Sequence, residues 1–207
     1  MTSALSANDI APAQSSAPAA SNLRDDQVPG VLVFIIADMI VFCMLFAGFM
    51  TERRGQLTVF DHSAATLDVR MGVLNTLILV TSGLFVALAV HAARDGRRAA
   101  TRACLLASFV VGAGFGVTKL AEYSSKIGHG ITMHTNDFYM FYYALTGAHF
   151  LHFIGGMIAL AALWFMAGRE PVNGRLFGLI ESGALYWHMV DLLWIFIFPM
   201  LYLLGPR

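Results

Sequence analysis

The residues best suited to chemistry lie near the end of the chain, in the segment Glu181–Trp194 with sequence ESGALYWHMVDLLW. It contains three ionisable side chains, those of Glu181, His188 and Asp191. Residues three or seven apart share one face of a helix, so these side chains are predicted to lie together. A histidine beside a carboxylate occurs where a metal ligand is oriented, and equally where a neutral pair holds two helices together.

Five further ionisable residues occur in apolar surroundings. Lys119 and Glu122 are three apart near a predicted helix end and are expected to pair with each other. Asp38 is a lone acid, for which we expect a structural hydrogen bond, with proton handling as the alternative. His149 and His152 can ligate a metal or haem, or can hydrogen-bond to the last predicted helix or to lipid headgroups.

The ligand supply is small for a redox enzyme. A catalytic metal site needs three or four converging ligands, usually at recognisable spacing. The two cysteines, Cys43 and Cys104, lie in separate apolar stretches and are interpreted as small buried residues. We therefore predict that this chain binds no metal, although a haem between two histidines of facing helices stays open.

Composition places the chain in the membrane. Of its 207 residues, 57% are hydrophobic and 13% charged, whereas a soluble domain has about 25% charged residues. The formal net charge is zero, so there is no basic face for nucleic acid. We expect an integral membrane protein that contacts lipid and not nucleic acid.

Hydrophobic runs predict an all-α, polytopic membrane helix bundle with five transmembrane helices, each long enough for about 30 Å of hydrocarbon. The predicted helices cover residues 31–50, 71–93, 103–123, 137–167 and 176–204, and residues 51–68 are predicted to form a polar loop. Residues 1–28 are rich in Ala and Ser and predict a disordered tail without signal-peptide features, ahead of one membrane domain at 29–207.

Basic residues predict the orientation of this domain. The short loop between the second and third predicted helices contains Arg94, Arg97, Arg98 and Arg102. Short loops rich in Lys and Arg stay in the cytoplasm, so the N-terminus is predicted to be cytoplasmic and the C-terminus periplasmic.

Burial energetics predict which way the last helix faces. A charged group at membrane depth costs roughly 3 kcal/mol, so we expect the face with Glu181, His188 and Asp191 to look into the bundle. The predicted neighbours are the two histidines of the fourth helix. The tryptophans at positions 187 and 194 are then expected to pack on neighbouring helices or on lipid.

Five stretches of the chain resemble subunit III of the haem–copper oxidase family, in that family's order and spacing. They are FIIADMIVF at 34–42, LNTLILVTSG at 74–83, LAEY at 120–123, FYYALTGAHFLHFIGG at 141–156 and ESGALYWHMVDLLWIF at 181–196. The last two are the most specific, and the resemblance covers about residues 29–204. Five helices are similar to the shorter bacterial form of the family, as in quinol oxidases.

The resemblance implies a subunit of a bacterial inner-membrane terminal oxidase that has no redox centre and no catalytic residue of its own. Haem and copper belong to the catalytic subunit I beside it, while this chain holds phospholipid, stabilises its partner and supports proton uptake. Residues that match the family's polar positions are Asp38, Glu122, His149, His152, Glu181, His188, Asp191 and Trp194. The family usually has Glu at position 38, and Asp there is similar to a branch associated with nitric oxide reductase. An accessory protein of that enzyme is therefore the alternative, and a free-standing haem- or metal-binding membrane enzyme is the second.

Overall fold

The computed structural model of the chain describes residues 22–169 and 171–205, and these residues form an all-α structure without strands. The helices are α1 (Asn22–Gly55), α2 (Leu57–Ala65), α3 (Val69–Arg94), α4 (Arg98–Gly128), α5 (Asp137–Arg169) and α6 (Gly174–Tyr202). All except α2 contain a stretch that is long and apolar enough to cross a membrane. The predicted fold class and the five long helices are confirmed.

The start of the chain differs in part from the prediction. Helix α1 begins at Asn22, so residues 22–28 of the predicted tail are helical. The rest of that tail, residues 1–21, lies outside the described residues.

The predicted polar loop at 51–68 is wrong, because α1 continues to Gly55 and α2 follows directly. Arg53 is held by Asp61, 2.8 Å from its guanidinium, and also donates to the carbonyl of Leu204 at 2.7 Å. Phe60 of α2 is buried and packs edge-on against Phe49 of α1, with ring centroids 5.3 Å apart. These contacts favour a folded-back helix, which the polar composition of the segment did not indicate.

Helices α3, α4, α5 and α6 pack in a ring, each against the next, and α1 lies against α5 and α6. Small polar side chains join α3 to α4, where the Ser82 and Ser108 hydroxyls are 2.9 Å apart. Helices α6 and α3, which close the ring, are joined by the indole N–H of Trp194, which donates to Thr76 at 3.1 Å. Such interhelical hydrogen bonds contribute about 0.6–2 kcal/mol each in membrane bundles.

The centre of the ring is filled by the indole of Trp187, which is fully buried. A Cβ added at Gly112 of α4 would lie 3.0 Å from this indole, and one added at Gly156 of α5 would lie 2.7 Å from it. The two glycines therefore leave the space that the indole occupies between α4 and α5.

Local signals in the sequence set the helix boundaries. The side chain of Asp68 accepts from the backbone N–H of Arg70, and that of Asn173 accepts from Leu176, both at 2.9 Å. Gly96 has a positive φ of 69° in the turn between α3 and α4, a conformation that suits glycine. The first residue of α4, Arg98, donates to the carbonyls of Ala167 and Gly168. These groups lie at the end of α5, where carbonyls have no partner within their own helix.

Candidate functional site

The most polar cluster inside the bundle centres on the ammonium group of Lys119, which is completely buried. It lies 2.9 Å from Oε2 of Glu122, one helical turn further along α4, so the predicted pairing of these residues is confirmed. It also donates to the hydroxyls of Tyr202 on α6 at 3.0 Å and Tyr142 on α5 at 3.3 Å. The same two hydroxyls donate to Oε1 of Glu122 at 2.8 Å. The cluster thus joins α4, α5 and α6.

Aromatic rings enclose this ammonium group. It lies 5.0 Å from the ring centroid of Tyr142, 5.2 Å from Trp194, 5.4 Å from Tyr123 and 5.6 Å from Tyr202. Ring faces attract a cation within about 6 Å, and the attraction is strongest where water is excluded. Hydrogen bonds and rings together therefore stabilise a charge that hydrocarbon alone would exclude.

A second polar contact joins α1 to α5. Asp38 Oδ1 lies 3.0 Å from His152 Nε2, so the lone acid of the sequence has a partner on another helix. His152 Nδ1 lies 2.8 Å from the carbonyl oxygen of Ala148, which only accepts, so Nδ1 carries a proton. One further proton then lies between Asp38 and Nε2, as a neutral acid beside neutral imidazole or as an ion pair. The other carboxylate oxygen, Oδ2, is buried and finds no hydrogen-bond partner among the described residues.

His149 makes a separate contact with α6. It is fully buried, and its Nε2 donates to the carbonyl of Val190 at 3.0 Å. Its ring packs against Trp194 and Phe115, with centroids 5.3 and 5.4 Å away. The hydrogen bond to the last helix, one of the uses that the sequence left open, is therefore present for His149.

The prediction that Glu181, His188 and Asp191 of α6 look into the bundle towards α5 is wrong in its direction and holds only for the burial of Asp191. Asp191 is buried, but it lies against Gly83 of α3 and not against α5. His188, whose Nδ1 is 3.6 Å from Asp191 Oδ2, is 47% exposed at the outside of the bundle. Glu181 is partly exposed near the start of α6, with no hydrogen bond among the described residues.

The physical reason for this reversal is volume. The two indoles of α6, at Trp187 and Trp194, are fully buried and fill the interior against α4 and α5. A helix cannot direct both these large rings and the histidine face to the same side. The rings gain more contact inside the bundle, so the histidine turns outward.

Sequence reasoning missed the tyrosines of the Lys119 cluster. Tyr142 and Tyr202 lie 23 and 83 residues from Lys119, and helical spacing relates only residues within one helix. The available signal was chemical, because a buried lysine needs acceptors beyond a single carboxylate.

The histidines at 149, 152 and 188 are thus engaged with different partners, on different sides of the bundle. Among the described residues, no three His, Cys, Asp or Glu side chains are grouped as a metal ion would require. The absence of a bound metal stays a prediction.

Comparison with known proteins identifies the family. The family model described as Cytochrome c oxidase subunit III matches residues 14–206, which span every helix of the structure. The chain belongs to this family. It is 30% identical to cytochrome c oxidase subunit 3 of Thermostichus vulcanus over 181 residues, covering 87% of this chain and 88% of the relative.

Relatives from two kinds of oxidase match over similar lengths. The chain is 26% identical to the cytochrome bo(3) ubiquinol oxidase subunit 3 of Pseudomonas putida, covering 86% of each. It is also 26% identical to the quinol oxidase subunit 3 of Bacillus subtilis, covering 85% of this chain and 86% of the relative. The resemblance inferred from the sequence motifs is thereby confirmed.

Proposed function

We propose that the chain is the non-catalytic subunit III of a haem–copper terminal oxidase in a bacterial inner membrane. The observation that carries the proposal is the family match over the whole helical part of the chain, with relatives named as subunits of cytochrome c and quinol oxidases. The chain stabilises the catalytic subunit I, which holds the haem and copper and reduces oxygen during aerobic respiration.

The geometry supports a stabilising role. The Lys119 cluster joins α4, α5 and α6, the contact of Asp38 with His152 joins α1 to α5, and His149 joins α5 to α6. Each contact fastens one helix to another, so together they make a rigid body that can support a partner.

Phospholipid binding is the second part of the proposal. An apolar groove of about 430 Å³ lies between α1, α5 and α6 and is lined by Phe34, Leu163 and Tyr186 among others. A second, of about 460 Å³, lies between α1 and α6 near Met50 and Phe196. Apolar grooves of this volume on the surface of a membrane helix bundle suit lipid acyl chains.

Support of proton uptake is the third part. Asp38 and His152 share one proton, and Asp38 Oδ2 has no partner. A carboxyl group that shares a proton with a neighbouring imidazole can take up and release a proton with little change in structure. Asp38 is therefore the proton-related residue of the proposal.

The arginine-rich turn between α3 and α4 supports the proposed orientation in the membrane. Arg98 bonds to the end of α5, so this turn lies at the same end of the bundle as the turn between α5 and α6. We assign that end to the cytoplasm, which puts the N-terminus there and the C-terminus in the periplasm. An impermeant maleimide should label Asp95→Cys in inverted vesicles but not in intact cells; the reverse would contradict the assignment.

The decisive experiment for the function is purification of the affinity-tagged chain from native membranes in mild detergent. The expected result is a co-purifying oxidase catalytic subunit, with haem and copper assigned to that subunit. A nitric oxide reductase catalytic subunit instead would replace the proposal with the accessory-protein alternative. Stoichiometric haem or metal on the chain when it is separated from all partners would replace it with a free-standing enzyme.

A further inference from the structure

A groove of about 380 Å³ opens on the outer side of the bundle between α3 and α6. Its walls include Gly83, Leu84 and Ala87 of α3 and His188, Asp191 and Ile195 of α6. Unlike the two grooves beside α1, it has an ionisable pair in its wall.

This pair lies where polar groups are most costly. His188 is 14 residues from both Gly174 and Tyr202, the two ends of α6. At 1.5 Å per residue it is about 21 Å from each end, close to the middle of the bilayer. No headgroup reaches this depth, and acyl chains offer no hydrogen bonds.

The pair is also incomplete within the chain. His188 Nδ1 and Asp191 Oδ2 are 3.6 Å apart, which is beyond a good hydrogen bond, and 47% of the His188 side chain is exposed. The second oxygen of Asp191, Oδ1, is buried and has no hydrogen-bond partner in the part of the chain that the structure describes. Intramembrane polar groups of this kind face a protein neighbour far more often than lipid.

We infer that this groove is the docking surface for a transmembrane helix of the catalytic subunit, which places a hydrogen-bonding side chain opposite His188. The inference rests on the proposed function and adds the surface through which the subunits meet. Asp191 fills the space at Gly83, but Ala87, four residues further along α3, is partly exposed in the groove, and its small side chain allows a helix backbone to approach closely. The new hydrogen bond holds the imidazole in position beside Asp191.

Site-specific photo-cross-linking in native membranes tests this surface directly. A photo-reactive amino acid is placed at Leu84 or Ile195, which are 57% and 44% exposed in the groove. The controls are Leu151 of α5 and Val117 of α4, which are 70% and 69% exposed and do not line it. We expect adducts with the catalytic subunit from the groove positions only.

Other cross-linking results overturn the inference. Adducts from the control positions only, adducts with a second copy of this chain, or lipid adducts alone in a preparation that contains the catalytic subunit would each show that another surface is used. If no catalytic subunit of any kind co-purifies, the proposed function fails and the inference fails with it. A reductase catalytic subunit cross-linked at the groove would refute the oxidase assignment but retain the surface.

Substitutions test the hydrogen bond and the shape of the groove. His188→Leu should lower the catalytic subunit recovered per tagged chain about fivefold, which corresponds to about 1 kcal/mol, whereas His188→Gln should retain it. Ala87→Trp should also block docking, while Val117→Trp on the control face should not. Circular dichroism of each isolated chain checks that the fold is retained. Full recovery with both His188→Leu and Ala87→Trp would refute the inference.

Discussion

Replacement of Lys119 by methionine tests the buried cluster most directly. Lys119 is fully buried, and the carboxylate of Glu122 beside it is only 13% exposed. Without the ammonium group this carboxylate stays in the bundle with two tyrosine hydroxyls, and no other cation of the described residues forms an ion pair with it. Removal of one member of a buried ion pair costs about 3–5 kcal/mol, so we expect Lys119→Met to lower the free energy of unfolding by this amount.

A double-substitution cycle separates the charge pair from simple packing. Glu122→Gln alone leaves an unpaired buried ammonium and should cost a similar amount. The double variant Lys119→Met with Glu122→Gln buries no charge, so it should lose clearly less than the sum of the two single losses. The difference measures the coupling between the two side chains.

The chain contains a matched control for this experiment. Arg97 and Asp95 also lie 2.9 Å apart, but their side chains are 63% and 58% exposed. Exposed ion pairs contribute about 0–1 kcal/mol, so Arg97→Met should change the free energy of unfolding by less than about 1 kcal/mol. The two ion pairs have the same nitrogen–oxygen distance and differ in burial, so a larger loss of stability for Lys119→Met is assigned to burial.

The assay is unfolding of the purified chain by sodium dodecyl sulfate in mixed micelles, followed by circular dichroism. Tryptophan fluorescence provides a second probe, since Trp187 and Trp194 are fully buried. A loss below about 1 kcal/mol for Lys119→Met would refute the reasoning, because the buried ion pair would then contribute no more to stability than an exposed one. Additive losses in the double variant would show that the two side chains do not act as a pair.

Two further predictions concern single contacts, and a third concerns cofactors. Gly156→Ala should lower the free energy of unfolding by about 1–3 kcal/mol, because the added methyl group would lie 2.7 Å from Trp187. The control Gly147→Ala adds a methyl group with no described atom within 4 Å and should be neutral or stabilising. Equal unfolding curves for the two variants would contradict this prediction. Asp38→Asn should keep assembly near normal, because an amide can donate to His152 Nε2. It should slow turnover per assembled complex, because it removes the carboxyl group proposed to take up protons; unchanged turnover would leave Asp38 with a structural hydrogen bond only. The isolated chain should be colourless in a visible spectrum, and one or more equivalents of iron, copper or zinc after chelator washing would contradict the expected absence of a cofactor.

Much of the fold follows from the sequence, because hydrophobic length alone limits what a membrane helix can be. Each of the five predicted helices lies largely within an observed helix. The observed helices extend beyond the hydrophobic core, since backbone hydrogen bonding continues into the polar flanks. At α4 this adds the last turn up to Gly128, where Lys126 is buried against Tyr142. Hydropathy does not report such extensions.

The ionisable members of the candidate site were predictable, but its tyrosines and the contacts between helices were not. Residues three apart, such as Lys119 and Glu122, are related by helix geometry, and their contact was predicted. The partner of Asp38 is 114 positions away, and only the packing of α1 against α5 brings His152 to it. A single sequence contains no information on which of several polar residues on other helices an acid will meet.

The failed prediction for α6 shows how a membrane changes the argument from burial. A polar face was expected to turn inward because hydrocarbon excludes it, but the interior is also the place where large rings gain most contact. Trp187 and Trp194 occupy that place, between α4 and α5, and His188 is left at the outer edge of the bundle. In an isolated chain this arrangement is costly. In a subunit whose neighbour supplies the missing hydrogen bond, the same histidine becomes a point of recognition, which is why its exposure at mid-depth argues for an occupied surface.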